Sequence, residues 1–134
     1  MDTLTKLHRI IGNGKLPFCK CTENCCSANP IILLYPIESN DKYFICNDDG
    51  SNCDLDLKPL LCKFYPFFPH RVTRRGIQLK IANCRITKNL NHPRIKHHIN
   101  LVGKCTLLLH QEGLTEFIID STKYIKNTLI IKDF

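Results

Sequence analysis

Apolar and polar positions recur with two different periods along this chain, and the change of period divides it. From Val72 to Ala82, Ile77, Leu79 and Ile81 alternate with Gln78 and Lys80, the period of two expected of a half-buried strand. Arg74-Arg75-Gly76 reads as a turn, so Arg71-Val72-Thr73 is the expected partner strand of a hairpin. From Pro93 onward the interval lengthens. Ile95, Ile99, Val102 and Leu109 follow at helical spacing, and proline suits a first helical position. Gly103 opposes this helix by about 1 kcal/mol. A second helix is predicted after Gly113, with Leu114, Phe117, Ile118, Ile125 and Leu129 on one face.

The first half is less regular. Residues 1–18 predict a short lead with a small helix ending near Gly12-Asn13-Gly14. Residues 19–30 mix Cys with Asn, Ser and Pro and suit a loop. The apolar run Ile31-Ile32-Leu33-Leu34-Tyr35, bounded by Pro30 and Pro36, fits a buried strand or a brief helix. Tyr43 to Cys46 reads as a strand, and Asn47-Asp48-Asp49-Gly50-Ser51-Asn52 as a turn. The length of 134 residues fits one domain over 1–134. The expected fold class is α+β: Cys-rich loops and a few short strands first, then C-terminal helices over 92–130.

Composition adds the chemistry. Nine residues are Cys, a density that calls for disulfides, metal ligation or catalysis. The chain start holds no continuous apolar stretch of secretory length. No run of about 18 apolar residues occurs, so no membrane span is expected. These features predict a soluble, cytoplasmic protein. Cytosolic thiols are kept reduced, which favours metal ligands over disulfides, and an odd count leaves one Cys unpaired in any fully bridged scheme.

The cysteines run Cys19-x-Cys21-x3-Cys25-Cys26, then Cys46-x6-Cys53-x8-Cys62, then Cys84. A loop supplying some thiolates and a second loop supplying the rest is the usual tetrahedral zinc solution. Soft thiolates suit iron–sulfur clusters equally. Adjacent Cys25 and Cys26 do not aim comfortably at one ion, so two sites are conceivable. The pattern is neither a paired CxxC zinc ribbon nor a ferredoxin spacing, and zinc and iron both stay open.

These residues carry a resemblance. Cys21 ahead of the Cys25-Cys26 doublet, a distant Cys46, the turn Asp49-Gly50-Ser51-Asn52-Cys53, and Lys58-Pro59-Leu60-Leu61-Cys62-Lys63-Phe64-Tyr65-Pro66-Phe67 follow in order. Over about residues 19–85 the chain resembles the zinc- or iron-chelating cysteine-cluster family of the YkgJ type. The resemblance places Cys21, Cys25, Cys26, Cys46, Cys53 and Cys62 on the family's cysteines, with Cys84 as its later one. The doublet spacing is one residue longer than the family's Cys-Gly-x-Cys-Cys, which leaves Cys19 and Cys21 as alternative ligands. Lys58 and Lys63 stand where Arg is commoner in the family. The resemblance implies a metal site and names no reaction.

Charge qualifies the partners. The net charge is +7, and no Asp or Glu lies between Asp56 and Glu112. Arg71, Arg74, Arg75, Arg85, Lys88 and Lys96 fall inside that interval and are expected to balance the thiolates and dock an acidic protein partner. Nucleic acid is disfavoured because no aromatic follows Phe68 within the basic stretch.

The chief reading is a non-catalytic metal- or cluster-binding module for metal handling, cluster transfer or support of another enzyme. The alternative is a metal-dependent or redox enzyme, with Asp48, Asp49, Asp54 and Asp56 as nearby acid/base groups. A nucleic-acid-binding zinc module ranks third. Cys105 is expected in the core, the adjacent His97 and His98 as a solvated pair, and His70 as an optional extra ligand. Tyr65-Pro66-Phe67-Phe68-Pro69 is expected as an apolar wall beside the site.

Overall fold

The computed structural model describes residues 2–12, 31–35, 37–44, 59–82, 90–123 and 128–131. Its first element, α1 (Thr3–Ile11), starts where the Asp2 carboxylate accepts the Thr5 N–H at 2.7 Å, a standard N-cap. Leu7 and Ile11 lie one turn apart and are buried. The helix stops at Gly12, whose φ of 65° is a conformation that favours glycine.

Strands β1 (Ile31–Ile32) and β2 (Tyr43–Phe44) form a two-stranded antiparallel ribbon, with Ile31 opposite Phe44 and Ile32 opposite Tyr43. The apolar run at 31–35 thus resolves as a short strand, and Ile31 to Leu34 are buried. A helix that the sequence pattern did not suggest follows. It is α2 (Leu60–Phe64), one turn long and introduced by Pro59. All of its residues are buried, so no amphipathic period marks it.

The expected hairpin is present and longer than predicted, with β3 (Phe67–Thr73) and β4 (Gly76–Ala82) in antiparallel register. Thr73 pairs with Gly76 across Arg74-Arg75. Gly76 adopts φ 138°, and Thr73 Oγ1 accepts the Arg75 N–H and donates to Gly76 O, each at 3.2 Å. The register shifts between Pro69 and Arg71, a bulge at His70. Phe67 and Phe68 extend the strand into the apolar segment before it, and both are fully buried.

Helix α3 (Pro93–Gln111) runs through Gly103 without a break. His92 caps it through Nδ1, which accepts the Arg94 N–H at 3.2 Å, and Pro93 takes the first turn. Ile95, Ile99, Val102 and Leu109 are its buried stripe, as the spacing predicts. The next helix, α4 (Thr115–Asp120), buries Phe117 and Ile118.

The predicted second helix is shorter than expected, and its outer residues behave differently. Ile125 lies outside the described residues. Leu129 belongs to a strand, β5 (Thr128–Ile131), which pairs antiparallel with β4 and sets Leu129 opposite Ile81. The run Thr-Leu-Ile-Ile is rich in β-branched residues, and pairing with the other side of β4 outweighs the helical spacing. The region 92–130 therefore holds two helices and most of a strand.

The result is an α+β arrangement. A three-stranded antiparallel sheet in the order β3-β4-β5 is covered by α3 and α4 at β3, while α1 packs on α3 and α2. One core cluster joins Leu7, Leu34, Leu60, Phe64, Phe67, Leu79 and Val102. None of the described helices is long and apolar enough to cross a membrane.

Candidate metal centre

Of the candidate ligands, Cys62 lies within the described residues. Cys19, Cys21, Cys25, Cys26, Cys46, Cys53 and Cys84 lie outside them, as do Arg85, Lys88 and the four aspartates Asp48, Asp49, Asp54 and Asp56. Among the described residues no three His, Cys, Asp or Glu side chains gather in a metal-binding group.

Cys62 sits in the middle of α2 with 8% of its surface exposed, inside the core cluster. The backbone around it is held from two sides. Glu38 Oε1 accepts the Leu60 N–H at 2.7 Å, and its Oε2 accepts the Leu34 N–H at 2.9 Å. One carboxylate thus ties the first turn of α2 to the end of the β1 segment and satisfies a helix N–H that has no intrahelical acceptor. The adjacent Lys63 is also buried, and its ammonium donates to His8 Nδ1 of α1 at 2.9 Å. Lys63 therefore belongs to the interior, although it lies in the acid-free, basic stretch of the sequence. Desolvation, reinforced by Lys63 and opposed by Glu38, holds the His8 pKa below its ordinary value.

Several of the described segments meet at their ends. In the β1–β2 ribbon, the start of β1 and the end of β2 are neighbours, because Ile31 faces Phe44. α2 packs on β1 and on β3. At the sheet, the end of β4 lies beside the start of β3, since Phe67 faces Ile81, and β3 follows α2 after Tyr65 and a cis Pro66.

Histidines depart from expectation. His97 is exposed but His98 is 4% exposed, and its Nε2 lies 3.1 Å from the Phe64 carbonyl. Its ring tilts against Phe67 at 5.9 Å. The pair is not solvated as a unit: neighbouring helix positions point in different directions, and position 98 falls on the buried stripe of α3 three residues after Ile95. Burial lowers its pKa and outweighs the bonds to the Phe64 and Tyr65 backbone. His70 stands at the β3 bulge, and its Nε2 is buried with no hydrogen-bond partner among the described residues.

Cys105 is a core residue as expected. It is 0% exposed, its thiol donates to Leu7 O at 3.7 Å, and burial pushes its pKa up to about 12. Phe67 and Phe68 are likewise fully buried, beside α2 in the chain. Sequence reasoning missed Glu38, His8 and Lys63. Their contacts span 22 and 55 positions, so no local pattern announces them.

No family model, no curated protein and no solved structure matches the chain.

Proposed function

We propose that this chain binds zinc or iron, the latter as an ion or an iron–sulfur cluster, through thiolates that include Cys62. What carries the reading is the arrangement of segment ends around α2. Cys46 comes two residues after Phe44, and Cys84 two after Ala82. Cys26 comes five residues before Ile31. Ile31 and Phe44 are partners in the β1–β2 ribbon, Ala82 ends β4, the strand paired with β3, and β1 and β3 are the strands that pack on the helix holding Cys62. As a donor, the Cys62 thiol is of the soft type that zinc, iron and their sulfide clusters take.

Cys19, Cys21, Cys25, Cys26, Cys46, Cys53 and Cys84 are the further ligands of this reading, and its best resemblance is the YkgJ-type cysteine-cluster family. Glu38 and the Lys63–His8 contact act as positioning groups that fix α2. The protein's task is metal handling, cluster transfer or support of another enzyme in the cytoplasm, with an acidic protein as its partner. Elemental analysis of anaerobically purified protein tests it. Zinc or iron near stoichiometric amount, reduced in Cys62→Ser, is the expected result; a metal-free but folded chain refutes it.

A further inference from the structure

Arg71, Arg74 and Arg75 are exposed together on the last turn of β3 and the tip of its hairpin. We propose that this hairpin tip is the docking surface for an Asp/Glu-rich segment of a partner protein. The inference rests on the acidic-partner part of the proposed function and not on the metal.

The tip is built rigidly. Thr73 bonds to both Arg75 and Gly76, and the Thr73–Gly76 and Val72–Ile77 pairs close the ladder directly behind the turn. Arg71 faces Gln78, and Lys80 follows at the next like-facing position of β4. Lys80 and Arg71 both act electrostatically on His70, so positive charge accumulates along this face.

Among the described residues nothing neutralises it. The chain has no Asp or Glu from 57 to 111. Glu116 and Asp120 belong to α4, the helix packed on β3. Among the described residues neither they nor any other carboxylate forms an ion pair with the three arginines. Guanidinium groups on a fixed turn match carboxylates bidentately, which favours an acidic peptide over a diffuse counterion cloud.

The edge of β3 narrows the mode of binding. Pro69 has no N–H, and its carbonyl lies 2.8 Å from the buried Ser121 hydroxyl. With the bulge at His70, this blocks addition of a partner strand along β3. Recognition is therefore by side-chain charge. Nucleic acid fits less well, because the hairpin's aromatics, Phe67 and Phe68, are fully buried and offer no stacking surface.

The test is fluorescence anisotropy of the full-length protein with labelled oligoglutamate, oligoglutamine, and single- and double-stranded RNA and DNA near physiological salt. Two charge reversals of equal size are compared: Arg71→Glu/Arg74→Glu/Arg75→Glu, and Lys6→Glu/Arg9→Glu/Lys104→Glu on exposed helix positions elsewhere. Circular dichroism confirms that each is folded. Oligoglutamate binding should weaken by about tenfold or more in the hairpin variant and far less in the other. Equal losses in both variants, no oligoglutamate binding by the unsubstituted chain, or tighter nucleic-acid binding through the same arginines overturns the proposal. Metal content is measured on the same samples. A metal-free chain that still binds the peptide through these arginines upholds the surface while refuting the metal reading. A metal-bearing chain indifferent to the peptide does the reverse.

Discussion

Lys63 Nζ lies 2.9 Å from His8 Nδ1, joining α2 to α1 across 55 positions of sequence. The ammonium donates, so the imidazole must accept and stay neutral. Burial, with Lys63 against it and Glu38 in its favour, sets the His8 pKa below the ordinary 6.5. Burial lowers that of His98 in the same direction. A histidine held neutral in the fold takes up its proton more readily when unfolded. Its contribution to stability is therefore complete above pH 6.5 and is lost as pH falls from there through the folded-state value. Urea melts between pH 7.5 and 5 should show stability declining on acidification, and His8→Gln should flatten part of the decline. A profile that rises towards acid contradicts this arrangement.

His98 offers a second test. Its Nε2 serves the Phe64 carbonyl inside the core. His98→Leu leaves that buried acceptor without its donor, a loss of about 1–3 kcal/mol. Chemical denaturation at neutral pH measures it. Unchanged stability would mean that the contact is incidental.

Glu38→Gln probes how the candidate ligand is positioned. The carboxylate accepts two N–H groups, from Leu34 and Leu60. A carboxamide has one oxygen for two donors, and its NH2 meets an N–H. We expect a loss of about 1–3 kcal/mol, together with weaker metal retention because the turn before Cys62 is loosened. Wild-type metal content alongside reduced stability would separate the fold from the site.

How much of this was legible beforehand varies by residue. The Ile77, Leu79, Ile81 alternation and the Ile95 to Leu109 spacing gave the hairpin and α3 correctly, because each element buries one face and the pattern records it. The strand at Thr128–Ile131 was masked by Leu129, which happens to fit a helical face continuing from Phe117. Its pairing with β4 is a distant contact that no window of sequence contains. α2 was invisible because all five residues are buried. His98 looked solvated beside His97, since a pair of polar letters does not reveal which one falls on the helix stripe. At the candidate site the sequence named thiols; Glu38, His8 and Lys63 became apparent through folding alone.

Cys105 supplies an internal contrast. With its pKa pushed up to about 12 by burial, its thiol is not ionised near neutral pH and should resist alkylation in the native protein. Mass spectrometry after native and denaturing iodoacetamide treatment should find it modified in the denatured sample alone. Cys105→Ala should leave metal content unaltered. Native alkylation of Cys105, or metal loss in that variant, would contradict its assignment to the core.

The central claim is that Cys62 is a metal ligand, and it is tested most directly by elemental analysis joined to absorption spectroscopy on anaerobically purified wild type and Cys62→Ser. The account predicts zinc or iron close to stoichiometric in the wild type, with thiolate-to-iron charge-transfer bands if the metal is iron, and a clear loss of both in the variant. A folded wild type without metal, or a Cys62→Ser protein carrying the same metal as the wild type, would contradict it.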